Sequence, residues 1–338
     1  MTYKTTKHLV VALTPPASVL ENVQLYRAHR RVAELQRHHY SSAKAALKQG
    51  EVIIVMDFKE NIRLGSGPVE VGQDFYQKTQ VSCLGCAVHI GHTDKPHTTH
   101  YFDVLSYSLS HDGLYVHEAL KLVLPAVQAL VCQPITALSF WMDCGPHFRC
   151  GEVLYDLLID APRRLQICAP VRLNFFAEHH GKSIVDSHFG HVSRAVHRFS
   201  MLERLVDIND VCSAIVKYFS ATGFDVHPIV LETPQRSTTT KLSLFLGKNK
   251  IKITQHYCFV SQQDQVTCNF LSNDTHPQLC TVRTDLEIDS RKTKIAPDLE
   301  KRVSKIKPLP QNCIVGPETK GKLQKQWQTL TDFGLFSV

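Results

Sequence analysis

Apolar positions along the chain follow two rhythms. Short β-branched runs predict strands, and three- or four-residue spacings predict amphipathic helices. The run "EVIIVMDF" (51–58) is of the first kind and closes on Asp57. "TQVSCLGCAVHI" (79–90) and "HTTHYFDVLSYSL" (97–109) predict two more strands. "DGLYVHEALKLVLPAVQALV" (112–131) has helical spacing, with Pro125 expected to kink or split it. "PITALSFWMD" (134–143) is a strand that also ends in an aspartate, Asp143. "GEVLYDLLID" (151–160) reads as helix and "RLQICAPVRLNFF" (164–176) as one or two strands. In "SIVDSHFGHVSRAVHRF" (183–199), Phe189, Val192, Val196 and Phe199 share one helical face, and Asp186 lies one turn before Phe189. A further helix spans about 207–220, with Gly223 as its stop.

The flanks differ from this middle. Ser18 with Glu21 forms a capping-box pattern after Pro15 and Pro16, which predicts a helix from Val19 to about Lys48 with a weak point at Ser41 and Ser42. Arg27, Arg30, Arg31, Arg37, Lys44 and Lys48 make it basic, either as a solvated face or as a surface for phosphates. From about Thr233 the chain reads as strands joined by turns, with "GKN" (247–249) as a hairpin signal. The stretch 291–325 carries ten Lys or Arg against three Asp or Glu and several prolines, which fits either an extended linker or a nucleic-acid-facing segment.

Composition narrows the class. The 338 residues are 43% hydrophobic and 20% charged, ordinary values for a globular protein. No run reaches the roughly 18–20 apolar residues of a membrane span, and the apolar stretch near the N-terminus is too short for a secretory signal. Eleven scattered cysteines then predict free thiols in a reduced, intracellular, non-secreted protein without a membrane partner. The net charge of +7 makes a polyanionic partner reasonable.

The carboxylates carry the chemistry. An order of strand, two strands, helix, strand, helix, strand, helix suits a mixed α/β sheet in which the first and fourth strands are parallel neighbours. Asp57 and Asp143 then end side by side, and the helix after Asp186 brings a third carboxylate. Close carboxylates repel unless a cation neutralises them, and oxygen ligands suit Mg²⁺ or Mn²⁺. Two such ions about 3.5–4 Å apart act on phosphodiesters. Aspartates also end strands as plain turn residues, and spacing alone leaves both readings open.

The blocks "DFKEN" (57–61), "WMDCGPHFRCGEVLYDLL" (141–158) and "FFAEHHGKSIVDSHFGHVSRAV" (175–196) resemble, in order, the catalytic blocks of eukaryotic DDE/D cut-and-paste DNA transposases of the Mutator/Kolobok-like kind. The likeness covers about residues 17–220. It implies an RNase H-like five-stranded mixed sheet flanked by helices, with a smaller β-rich, basic C-terminal region. The implied units are an N-terminal helical segment (1–50) packing on the core, a catalytic domain (51–225), and a C-terminal region with a basic extended tail (226–338). It further implies Asp57, Asp143 and Asp186 as ligands of Mg²⁺ or Mn²⁺, with Glu178 as the alternative third carboxylate. Lys182, His180 and Lys59 are the implied DNA contacts. The activity implied is hydrolysis and strand transfer of DNA in the nucleus, by a homodimer or higher oligomer, with a DNA-binding module supplied separately. A catalytically silent DNA-binding or regulatory derivative is the alternative.

Cysteine and histidine offer a rival chemistry. Cys144, His147 and Cys150 flank Asp143 and either supply part of a structural zinc site or shape the turn. Cys83, Cys86, His89 and His92 are spaced for zinc, yet Cys83 and Cys86 fall on opposite faces of a strand and read as core. No G-x-S-x-G or Walker-type loop occurs.

Overall fold

Strand β1 (Glu51–Arg63) is the axis of the fold. It pairs antiparallel with β2 (Gln80–Ile90) and parallel with β4 (Ala137–Met142). Beyond β2 come β3 (Thr98–Ser106), antiparallel to β2, and β6 (Asp225–Val230), parallel to β3. Beyond β4 comes β5 (Val171–Phe175), parallel to it. The computed structural model describes residues 17–68, 79–178, 183–234, 238–263 and 265–288, with positions 299 and 303. The basic stretch 291–325 therefore lies outside the described residues except at those two positions.

The sheet does not stop at five strands. β9 (Cys258–Gln262) adds antiparallel to β5, followed by β10 (Gln265–Asn269), β11 (Gln278–Ile288), β7 (Thr238–Leu246) and β8 (Asn249–Lys250), giving eleven in all. The sequence predicts a five-stranded sheet beside a β-rich region; the strands of that region instead extend the sheet at both edges. An uncovered edge is a row of unpaired backbone groups, and β9 and β6 cover both edges of the central five. The predicted hairpin stands at β7–β8, where Gly247 takes φ +60°.

Alternation along the strands sorts the core into two layers. Val52, Ile54 and Met56 of β1 face α2 (Gly113–Val131) and the helical stretch made of α3 (Gly151–Tyr155), a π-helical turn (Asp156–Asp160) and α4 (Ala161–Arg164). Ile53 and Val55 face α5 (Ile184–Leu202), α6 (Ile208–Phe219) and the C-terminal part of α1 (Ala17–Ala45). Two sequence expectations need correction here. α1 runs unbroken through Ser41 and Ser42, and α2 is not split at Pro125 but continues through it. Pro125 lies on the exposed side of α2, where the carbonyl left without its N–H partner meets water. α2 also has the length and apolarity of a membrane-crossing helix, but its buried stripe packs on the sheet.

Buried polar side chains tie distant segments together. Gln36 of α1 donates to the Phe175 carbonyl and to Ser272 Oγ, each at 2.8 Å, and accepts from the Ser272 N–H at 3.0 Å. Arg149 donates to the carbonyls of His256 (2.8 Å) and Ile253 (3.3 Å) and lies over the rings of Tyr257 and Phe175.

Gly85 sets how closely α5 approaches the sheet. A Cβ there would lie 2.4 Å from Phe189 Cε1 and 2.9 Å from Val185 Cγ1. Gly85→Ala is expected to push α5 outward and to cost about 1–3 kcal/mol, as overpacking does. Denaturant unfolding measures the loss, and unchanged stability would refute the tight packing.

Candidate metal centre

The register of three strands builds the site. Met56 pairs with Met142 across β1 and β4, so Asp57 and Asp143 follow as neighbours. β1 does not close on Asp57 as the sequence predicts: it runs on to Arg63, still paired with β2, so Asp57 lies midway along β1 while Asp143 lies one residue past the end of β4. Asp57 pairs with Gly85 of β2, and Gly85 pairs with Asp103 of β3. The order across the sheet is therefore Asp143, Asp57, Gly85, Asp103. Asp57 falls two residues after Val55 and Asp143 two after Trp141, on the α5 side of the sheet.

Asp57, Asp143 and His147 each bring one ligand-capable atom to within 4.8 Å of the others. Asp57 Oδ1 accepts from the Phe58 N–H at 2.8 Å. Asp143 Oδ1 accepts from the Gly145 N–H at 2.9 Å and lies 3.3 Å from His147 Nε2. That approach lacks hydrogen-bond geometry, so Nε2 is a buried nitrogen without a hydrogen-bond partner beside two carboxylates. A nitrogen lone pair so placed fits a metal ligand. The His147 ring stands edge-on to Phe58, which stacks on His111 with centroids 4.4 Å apart.

The electrostatics agree with a cation here. Burial, then Asp143, then Asp186, push the Asp57 carboxyl up to about 7. Burial also pushes Asp143 upward, but His147 and the Gly145 N–H outweigh it and hold that carboxyl below its ordinary value. The donor set of two carboxylates and an imidazole fits Mn²⁺, and its carboxylates fit Mg²⁺.

Asp186 stands at the N-terminus of α5, near enough to act on Asp57. It is exposed, and its Oδ2 accepts from the Ser183 N–H at 2.7 Å in a capping box. Glu178 turns instead to Arg149, whose Nη1 is 3.4 Å from its Oε1. Lys59 lies half-buried two residues beyond Asp57, and its charge is felt at the Cys83 thiol. His180 and Lys182 lie outside the described residues.

Among the described residues, neither of the zinc alternatives assembles. His147 faces the aspartates, because Cys144 Sγ is 2.9 Å from the Phe176 carbonyl and 3.1 Å from Arg149 Nη1. Among the described residues, neither Cys144 nor Cys150 belongs to a metal-capable group. Cys83 and Cys86 pack in opposite core layers as expected, while His89 bonds Tyr40 and Thr99 and His92 bonds Thr98.

One pair escaped the sequence reading. His188 Nε2 lies 2.9 Å from both oxygens of Asp103, and both side chains are buried. Tyr101 stacks on the His188 ring at 4.3 Å. The pair fastens α5 to β3 two residues after Asp186. The signal was an aspartate inside the apolar run "HTTHYFDVLSYSL" and a histidine beside Phe189.

A family described as "Domain of unknown function (DUF8701)" matches residues 36–272. The chain belongs to this family. No curated protein and no solved structure matches the chain. The DUF8701 span begins and ends on Gln36 and Ser272, which are bonded to each other, and it contains Asp57, Asp143, His147, Asp186 and Glu178.

The Asp57 shift gives a pH-dependent expectation for the DUF8701 domain. A carboxyl raised from 3.8 to about 7 by folding is protonated in the folded chain but ionised in the unfolded chain between those values. Its contribution is full below about pH 4 and is lost as the pH rises to about 7. With divalent ions chelated, Asp57→Asn should match the wild type near pH 4, exceed it in stability by a growing margin up to pH 7, and keep that margin above. Denaturant unfolding across this range checks it, and parallel curves would refute the shift.

Removing one member of the buried pair should also be costly. Asp103→Asn is expected to destabilise by about 1–3 kcal/mol, the cost of leaving a buried hydrogen-bonding group without its partner. Amide exchange should rise first in the opening turns of α5; unaltered protection there would show that the pair does not hold the helix.

Proposed function

We propose that the chain is a transposase-like polynucleotidyl transferase with an RNase H-like core, acting on DNA phosphodiesters with divalent cations. The observation that carries this is the convergence of Asp57, midway along β1, and Asp143, just past the end of the adjacent parallel β4, with His147 within 4.8 Å. The central order β3-β2-β1-β4-β5, with β2 antiparallel to its neighbours, supports the core assignment. The ordered sequence blocks support the chemistry, and the net charge of +7 favours a polyanion.

In this reading Asp57, Asp143 and His147 hold the cation, and Asp186 completes the set from the first turn of α5. Bound ions supply an activated oxygen nucleophile and stabilise the leaving oxygen. The Phe58 and Gly145 N–H groups orient one oxygen of each aspartate, leaving the others for the cation. Phe58, stacked against His111 and crossed by His147, keeps the imidazole aimed at the aspartates. Lys59, with His180 and Lys182, is suited to the DNA backbone. Two DNA ends handled together would call for an oligomer.

A specific observation favours the silent alternative. The capping box occupies one Asp186 oxygen, and Asp186 is not within the 4.8 Å group. A site that never recruits Asp186 would bind DNA without cutting it.

The deciding experiment incubates the protein with Mn²⁺ and duplex DNA and follows nicking. Loss of outer metal partners typically costs about 10–100-fold, so Asp57→Asn and Asp143→Asn should each lower the rate by at least about 100-fold. Equal nicking by wild type and variants would refute the assignment. Salt-dependent binding with no metal-dependent cleavage by the wild type would establish the silent reading.

A further inference from the structure

We propose that His117, Asp156 and Asp160 form a second divalent-cation site, of the Mn²⁺ or Zn²⁺ class, that clamps α2 to the π-helical turn. His117 lies on α2, and the two aspartates are the first and last residues of the turn. One ligand-capable atom from each lies within 4.8 Å of the others. This group is on the α2 side of the sheet, opposite the layer in which α5 packs.

A second observation points to a ligand. The Asp156 side chain is 3% exposed, with Oδ1 at 2.7 Å from His117 Nδ1. Its Oδ2 is buried and has no hydrogen-bond partner. A carboxylate oxygen taken from water without compensation is costly, and native structures satisfy such atoms. An imidazolium–carboxylate pair alone would satisfy Oδ1 and leave Oδ2 bare. A cation shared with Asp160 accounts for both.

The local backbone fits the same purpose. At the end of the turn, the Ala161 N–H reaches the Asp156 carbonyl five residues back. Such π-bulges occur often at functional positions, and the four-residue spacing of Asp156 and Asp160 keeps both carboxylates on one side of the helical stretch. His117 is 28% exposed, which leaves a route for an ion from solvent. Ligands about 2.0–2.2 Å from an ion sit roughly 3 Å or more apart, so the 2.7 Å contact would open by a few tenths of an ångström. Glu118 lies outside the group, 3.7 Å from His117 Nε2 and paired with Lys121. An imidazole with two carboxylates favours Mn²⁺ or Zn²⁺ over Mg²⁺.

The test uses the full chain carrying Asp57→Asn and Asp143→Asn, which removes the first centre and makes the result independent of the proposed function. Calorimetric titration with ZnCl₂ and with MnCl₂ should give about one equivalent bound, with a rise in Tm that follows cation concentration. Adding Asp160→Asn or His117→Gln should weaken binding by at least about tenfold and abolish the Tm rise. Both changes are at half-buried positions; unfolding without metal is the folding control, and Asp160→Asn decides if His117→Gln does not fold. No saturable binding in the background protein, or equal binding with and without Asp160→Asn, would overturn the site and leave only an imidazolium–carboxylate pair.

Discussion

The fold is organised around carboxylates forced into one row. β-Strand parity puts Asp143, Asp57 and Asp103 on the same face of the sheet, with only Gly85 between the last two. Like charges so placed need separate neutralisers. Asp103 has the buried His188, and Asp143 has the Gly145 N–H and the His147 ring. Asp57 has one backbone N–H against burial and two carboxylate neighbours, and burial first, then those neighbours, raise its carboxyl. The row is thus compensated at its ends and deficient at its centre. A cation at Asp57, or a proton below about pH 7, would relieve the deficit without moving any backbone.

The central part of this arrangement was legible in the chain. β-Branched runs ending in aspartate marked β1 and β4, and the order of elements placed them as parallel neighbours. His147 was legible as a metal-type residue but was grouped with Cys144 and Cys150, since sequence proximity cannot show which way a turn directs its ring. Asp103 and His188 were hidden for a related reason. Each sits inside an apolar pattern, and the pairing that makes burial tolerable spans 85 residues. The strands after about Thr233 were legible as strands but not as members of this sheet, and β6, which covers the other edge, was not read at all, because an edge accepts any partner with backbone groups to offer. The π-helical turn left no trace in periodicity, since one inserted residue in a short helix shifts the apolar spacing too little to notice.

The ties between distant segments bear on the third carboxylate. Arg149 is buried, and its guanidinium meets the His256 and Ile253 carbonyls, the Cys144 sulfur and Glu178. Glu178 is therefore drawn toward the β9 side and away from Asp57. Its charge acts on Cys144 and Tyr257, whereas Asp186 acts on Asp57. The charges felt at each group thus favour Asp186 over Glu178 as the third carboxylate of the proposed site.

What fixes Asp186 is the seating of α5. Phe189 and Val185 fill the space that a side chain at position 85 would take, and His188 grips Asp103 one strand further out. These contacts fall within one helical turn of Asp186, so the helix cannot slide or rotate without breaking the buried His188–Asp103 hydrogen bonds or a close-packed contact. The capping box consumes one carboxylate oxygen of Asp186 and holds the side chain at the helix N-terminus. A carboxylate has two oxygens, and capping with one leaves the other as an acceptor. The helix N-terminus also favours negative charge. The same interactions that rigidify α5 therefore hold Asp186 where its charge is felt at Asp57, and whether it joins the proposed site depends on its own side-chain torsion.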